Sequence, residues 1–215
     1  MAYAWPLAGL AIANLLGIIS PGPAFLMVSR AAAGRSRSVA LGLGAGVAMA
    51  ATIWAAAACF GIAIVMSEFA AVYGAIQLAG GAYLIWLGVG AWRHPRHIEP
   101  VAAGSAVRAS RLGGRDGPAR SILVGAMLSL GNPKIVIFFS SIFVALLPAH
   151  APLSVRLAAV AIVGVQEISW YGMVAVVLSR PRVQAAYRRL SAWLERTMGA
   201  ILIGFGARII AGVRV

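Results

Sequence analysis

The chain has 215 residues, of which 61% are hydrophobic and 11% are charged, whereas about a quarter of the residues in a soluble domain are charged. This composition excludes an ordinary soluble protein and leaves room for roughly six transmembrane helices of about 20 residues each, with no sizeable soluble domain. The net charge of +13 does not indicate nucleic-acid binding, because the arginines lie between apolar runs instead of forming one stripe.

Six apolar runs predict six transmembrane helices, at 7–33, 39–65, 71–92, 121–147, 157–178 and 197–213. Nearly all arginines fall in the connections on one side, at 30–37, 93–120 and 180–196. Because positively charged loops stay inside the cell, that side is predicted to be cytoplasmic, with both termini outside. We expect a multi-pass protein of the bacterial inner membrane without a cleaved signal peptide. A re-entrant first run would instead give five spans and a cytoplasmic N-terminus.

The first run contains a break at Ser20-Pro-Gly-Pro23. Neither proline has a backbone N–H group, so the carbonyls of Gly17 and Ile19 lose their helical partners. In lipid such carbonyls are costly unless a polar group meets them. The run is about 40 Å long as a helix, so the break is expected near the bilayer midplane, where broken helices form transporter binding sites.

A matching break occurs half a chain later, at Gly131-Asn-Pro-Lys134 in the fourth run. The predicted organisation is a three-helix half at 1–93, a flexible cytoplasmic connector at 94–120 and a second three-helix half at 121–215. An odd number of spans per half inverts the second copy. The predicted fold class is therefore an all-α integral membrane protein with six transmembrane helices in two inverted three-helix repeats, whose first and fourth helices are broken.

Four stretches occur in a set order: Ser20–Pro23 followed by Gly34-Arg35, then Gly42–Gly46, then Gln77–Gly88 with Trp92-Arg93, and Gly131–Lys134. This series resembles the bacterial LysE/RhtB-type amino-acid exporters over nearly the whole chain. The resemblance implies export of amino acids or close derivatives from the cytoplasm, driven by the proton motive force. Exporters of basic amino acids in that family often carry an acidic residue shortly after the glycine series, but Gly46–Thr52 is uncharged here. The resemblance therefore favours a neutral substrate.

Two charged residues are expected near the centres of the fourth and fifth spans, namely Lys134, the only lysine, and Glu167. A charge at that depth costs roughly 2.5–3.5 kcal/mol, and such residues commonly pair, face a wet cavity or titrate. We predict that Glu167 is the proton-coupling carboxylate and that Lys134 is its partner or binds the substrate carboxylate. A purely structural ion pair between the two spans is the alternative.

The two breaks supply what recognition of a zwitterion needs. A half-helix beginning after Pro23 or Pro133 presents free N–H groups to a carboxylate, and the carbonyls left by the breaks, including those of Ile19 and Ser129, can accept from an ammonium group. The predicted substrate-binding residues are Asn14, Gly17, Ser20, Pro21, Gly22, Pro23, Asn132, Pro133, Lys134 and Gln166. For the small polar members, hydrogen bonding between helices is the alternative.

Three tryptophans lie deep in the runs, Trp54, Trp86 and Trp170, and packing is favoured for them over a pocket for an apolar side chain. Aromatic residues near the run ends fit the membrane-interface belts: Tyr3, Trp5, Tyr73, Trp92, Tyr187 and Trp193. Small residues allow close helix approach within the bundle, which is favoured, or at a homodimer seam: Gly42, Gly44, Gly46, Gly80, Gly81, Gly88, Ala200 and Gly204.

The sequence has no HExxH, GxSxG or P-loop motif, so no enzymatic activity, cofactor or metal is predicted. The expected partners are an amino-acid substrate, protons and membrane lipid, with no nucleic acid. An exporter of cations or other small metabolites is an alternative, although only Glu167 is expected at depth as a cation ligand. A non-transporting membrane scaffold is another, but it would have no reason to keep two broken helices and a buried charge pair.

Overall fold

The computed structural model describes residues 3–19, 22–34, 37–68, 70–93, 118–148, 150–177 and 181–212. Over these ranges the chain is helical and contains no strand. The helices are α1 (Ala4–Ile19), α2 (Pro23–Gly34), α3 (Arg37–Glu68), α4 (Ala70–Arg93), α5 (Pro118–Leu130), α6 (Pro133–Leu146), α7 (Leu153–Val177) and α8 (Pro181–Gly212). Residues 94–117 of the predicted connector lie outside the described residues, as do Ser20 and Pro21.

The two predicted helix breaks are confirmed. Helices α1 and α2 meet at an angle of 56°, and helices α5 and α6 meet at 66°. Pro23 and Pro133 are the first residues of α2 and α6. Proline is well tolerated there, because the first N–H groups of a helix have no partner within the helix. Each proline therefore ends one helical segment and starts the next in a new direction.

Two helical segments are long and apolar enough to cross a membrane alone, Arg37–Gly61 in α3 and Leu153–Val177 in α7. Each bent pair adds one more segment if the pair forms a single span, which gives up to four spans within the described residues. Helices α4 and α8 cover the predicted third and sixth runs. That these two cross the membrane, and that the two halves are inverted copies, stays a prediction.

The most extensive packing joins helices from different predicted halves: α3 packs against α5 and α7, and α4 packs along α8. Glycines allow this close approach. A Cβ atom at Gly46 would overlap the backbone of α5, and Gly81 and Gly88 of α4 lie against the backbone at Gly206 and Gly199 of α8. Small residues of this kind bring helix backbones close enough for van der Waals packing. The predicted role of Gly46, Gly81 and Gly88 inside the bundle is confirmed.

Two apolar clusters fill the interior. The large cluster joins α1, α3, α4, α6, α7 and α8, and its large buried members include Leu10, Leu84, Phe138, Phe139, Ile142, Phe143 and Leu202. The small cluster joins α2, α3 and α7, and its members are Phe25, Val28, Ala31, Ala32, Ala40, Leu43, Val47, Tyr171, Val174 and Ala175. The small cluster lies toward the arginine-bearing ends of these helices, which is the predicted cytoplasmic side.

Candidate functional site

A cavity of about 100 Å³ lies where the two apolar clusters meet. Both helix breaks open onto it: the first contributes Gly17, Ile18, Gly22, Pro23 and Ala24, and the second contributes Asn132, Lys134 and Ile135. The remaining wall comes from Val47, Ala51, Leu87, Phe138, Phe139, Glu167, Tyr171 and Leu202. Two breaks that are far apart in sequence therefore meet at one site.

The charged groups of the cavity are Lys134 at the start of α6 and Glu167 in the middle of α7. Glu167 is only 4% exposed, and Lys134 is half-buried. An otherwise largely apolar wall thus carries one basic and one acidic side chain, from two helices that follow each other in the chain. Within the described part of the chain, no three His, Cys, Asp or Glu side chains come close enough together to hold a metal ion.

Helix α6 is capped by its own preceding residue. The Asn132 side chain accepts a hydrogen bond from the Lys134 amide at 3.0 Å, and the Asn132 carbonyl accepts one from the Ile135 amide at 3.1 Å. The carbonyl of Ser129 accepts from the Asn132 amide at 3.2 Å. The prediction of free backbone groups is wrong for these atoms, because the turn between α5 and α6 satisfies them locally.

The first break is held from another part of the molecule. The carbonyl of Ile19, at the end of α1, accepts a hydrogen bond of 2.6 Å from the hydroxyl of Tyr187 in α8. The ring of Tyr187 also stacks on Phe25 in α2, with the ring centroids 4.6 Å apart. The Ile19 carbonyl thus already accepts one hydrogen bond within the protein, and its contact with a substrate stays a prediction. The position of Tyr187 at the membrane interface stays a prediction as well.

Asn14 and Gln166 lie next to the cavity lining and not in it. Asn14 is fully buried and donates to the Gln166 side-chain oxygen at 3.0 Å, while the Gln166 amide group donates to the Ala11 carbonyl at 3.0 Å. Asn14 lies one turn before Ile18, which does line the cavity. In this structure the pair joins α1 to α7, as the structural alternative for these residues anticipated.

Aromatic lining was missed by the sequence analysis. Phe138 and Tyr171 line the cavity, each four residues after a charged residue of the site and so on the same helix face. That spacing could have identified them. The three deep tryptophans are not among the lining residues, and Trp86 is 68% exposed.

A second buried acidic residue was also missed. Glu195 in α8 is 3% exposed, although it stands in an arginine-rich stretch that indicated surface. Ser191, one turn earlier, is fully buried, and Tyr187 precedes it by another turn. The spacing of four residues between successive members could have indicated a buried face of α8. Glu195 does not line the cavity.

The chain matches the family model described as "LysE type translocator" over residues 15–212, which is most of its length. The chain belongs to the LysE type translocator family. Members of this family are membrane transporters and not enzymes, which agrees with the apolar helices described above.

Curated relatives match the chain over nearly their whole length. The chain is similar to the threonine efflux protein of Escherichia coli strain K12, with 30% identity over 93% of this chain and 95% of that protein. The threonine efflux protein of Salmonella typhimurium is 29% identical over the same shares. A membrane protein of Haemophilus influenzae is 26% identical over 94% of each chain. No solved structure matches the chain.

Proposed function

We propose that this LysE-family chain is a secondary transporter that exports a neutral amino acid or a close derivative from the cytoplasm. The observation that carries the proposal is the single cavity onto which both helix breaks, Lys134 and Glu167 open. Broken helices that meet at one site are typical of secondary transporters. The threonine efflux relatives, which the chain matches almost end to end, support the same substrate class.

The cavity offers complementary groups to each part of a zwitterion. Lys134 and the N-terminus of α2 at Gly22–Ala24 suit the carboxylate, because both carry positive charge or dipole. Glu167 suits the ammonium group. Phe138, Phe139 and Leu202 also line the cavity and suit the apolar part of a side chain. Asn14, Pro133 and Gln166, which are not among the lining residues, and Ser20 and Pro21, which lie outside the described residues, stay predicted members of the binding region.

A neutral substrate fits the α3 wall. Val47 and Ala51 line the cavity there, and neither carries a charge that would neutralise a basic side chain. A dibasic amino acid would bring a second positive charge beside Lys134, which is unfavourable in a site shielded from water.

Transport is proposed to proceed by proton antiport with alternating access. Glu167 is the acidic side chain that lines the cavity, and we propose that it takes up a proton when the ammonium group of the substrate leaves. Reloading with substrate would release the proton. Alternating access around a fixed central site then couples movement of the substrate to movement of the proton.

The test is efflux of radiolabelled threonine from proteoliposomes, with and without an imposed proton gradient. We expect the proton gradient to drive efflux in the unmodified protein. In Glu167→Gln we expect the initial rate of gradient-driven efflux to be at least tenfold lower. Glu195→Gln is the matched control, because Glu195 is equally buried but lies outside the cavity lining. Gradient dependence that survives Glu167→Gln in a folded protein would remove Glu167 from the coupling step.

The substrate class is tested in the same vesicles by competition. We expect unlabelled small neutral amino acids to compete with threonine, and lysine to compete at least tenfold more weakly. If lysine competed best, the assignment of a neutral substrate would be wrong. If the vesicles transported metal cations but no amino acid, the cation-exporter alternative would replace the proposal.

A further inference from the structure

Tyr187 bridges the first helix break from the far end of the chain. Its hydroxyl donates to the carbonyl of Ile19, the last residue of α1, at 2.6 Å. Its ring stacks on Phe25, in the first turn of α2, at 4.6 Å between centroids and 26° between planes. One side chain of α8 therefore holds both arms of the broken span.

The hydrogen bond replaces one that the break removes. The helical partner of the Ile19 carbonyl would be the N–H of residue 23, which is a proline and has none. A carbonyl in a water-poor interior is costly unless it is bonded. Tyr187 supplies that hydrogen bond from another helix, so the geometry of the break depends on the position of α8.

The break in turn shapes the cavity. Gly17 and Ile18 immediately precede Ile19, and Gly22–Ala24 immediately precede Phe25, and all of these line the cavity. Phe25 is also 2% exposed within the small cluster, which lies on the arginine-rich side of the cavity. Contacts at Tyr187 thus hold Ile19 and Phe25, the two residues next to this part of the cavity wall.

We propose that Tyr187 is a positioning residue that latches the first break and keeps the cavity closed toward the arginine-rich side. Release of the Tyr187 hydroxyl from Ile19, with separation of its ring from Phe25, opens the cavity to a substrate arriving from that side. This rests on the proposed function of the cavity as the substrate site, but the latch itself can be tested without transport.

The experiment measures access to the cavity. The only cysteine, Cys59, is replaced in Cys59→Ala, and Ala24→Cys then places a single thiol on the cavity wall. Inside-out vesicles expose the arginine-rich side to a membrane-impermeant maleimide. Adding Tyr187→Phe keeps the ring and removes only the hydroxyl. We expect the Tyr187→Phe variant to be labelled roughly tenfold faster than the parent, because loss of one buried hydrogen bond changes an equilibrium constant by about that factor.

Two further variants make the result specific. Tyr83→Phe removes a hydroxyl from a half-buried tyrosine of α4 that does not line the cavity, and we expect no change in labelling. Phe25→Leu keeps the hydroxyl but removes the stacking, and we expect a rise of about threefold, because stacked aromatic pairs contribute less than a buried hydrogen bond. Thermal unfolding in detergent confirms that all variants compared are folded.

Equal labelling rates for Tyr187→Phe, Tyr83→Phe and the parent would overturn the latch, and so would an increase shared by both tyrosine variants. Threonine efflux is measured separately on the parent chain. If efflux fails while labelling rises only in Tyr187→Phe, the latch stands and the proposed substrate is wrong. If efflux succeeds and labelling is unchanged, the proposed function stands and the latch is wrong.

Discussion

The two breaks are held by different kinds of partner. In the second break the amide of Lys134 donates to Asn132, the residue directly before α6. In the first break the carbonyl of Ile19 accepts from Tyr187, which belongs to the last helix. Both breaks follow from prolines, and both open onto the same cavity. A break that is capped by its own turn keeps its geometry when other helices move. A break held by a distant helix changes when that helix moves, so the first break is the one suited to switching.

Among changes in the cavity wall, the largest effect is expected at Gly17, where the two bent helix pairs touch. A Cβ atom at Gly17 would lie 2.7 Å from Cζ of Phe138 in α6, closer than such atoms approach in proteins. Gly17→Ala is therefore expected to lower the free energy of unfolding by about 1–3 kcal/mol, as overpacking does. Titration with SDS in mixed micelles measures this change.

The controls for Gly17 are a relief variant and an open glycine. Adding Phe138→Leu should restore most of the lost stability, because the clashing ring is gone. Gly61→Ala, where a Cβ atom would meet nothing within 4 Å, should be neutral or stabilising by up to about 1 kcal/mol. A similar loss of stability at both glycines would mean that Gly17 is sensitive for a reason other than contact with Phe138.

The breaks themselves were accessible to sequence analysis because proline acts locally. Pro23 and Pro133 lack an N–H group wherever they occur, and a charged residue in the middle of an apolar run, such as Glu167, is visible without a structure. The hydrogen bond of Tyr187 was not accessible in this way. Its partner is 168 residues away, and a tyrosine in an arginine-rich stretch has the pattern of an interface anchor.

The lining of the cavity was predicted in part for the same reason. Gly17, Gly22, Pro23, Asn132 and Lys134 belong to the breaks and were identified with them. Asn14 and Gln166 were grouped with these residues by polarity alone, which does not tell a helix-to-helix bond from a cavity wall. Apolar lining residues such as Leu87 carry no signal that separates them from the core.

A smaller effect is expected at the cap of the second break. Asn132→Ala removes the acceptor for the Lys134 amide and should lower the free energy of unfolding by about 1 kcal/mol, whereas Asn132→Ser, which keeps an uncharged acceptor, should keep most of the stability. Combined with Tyr187→Phe, the two losses should add to within about 0.5 kcal/mol, because the breaks are held by separate groups. A larger interaction energy in SDS titrations would show that the two breaks are held as one unit.

The smallest effect is expected at the pair that joins α1 to α7. A double-mutant cycle on Asn14→Ala and Gln166→Ala should give a coupling energy of about 0.6 kcal/mol, the mean for hydrogen bonds between membrane helices. Mixed-micelle unfolding of the four proteins measures it. A coupling energy near zero would show that this hydrogen-bonded pair does not stabilise the contact between α1 and α7.

The long reach of Tyr187 has a consequence for biosynthesis. The two ends of its hydrogen bond are 168 residues apart, so the ribosome makes the first helix break long before it makes the group that completes it. Until α8 packs against α1 and α2, the carbonyl of Ile19 lacks this donor. The first bent helix pair is thus made early but reaches its final geometry only when the last helix docks.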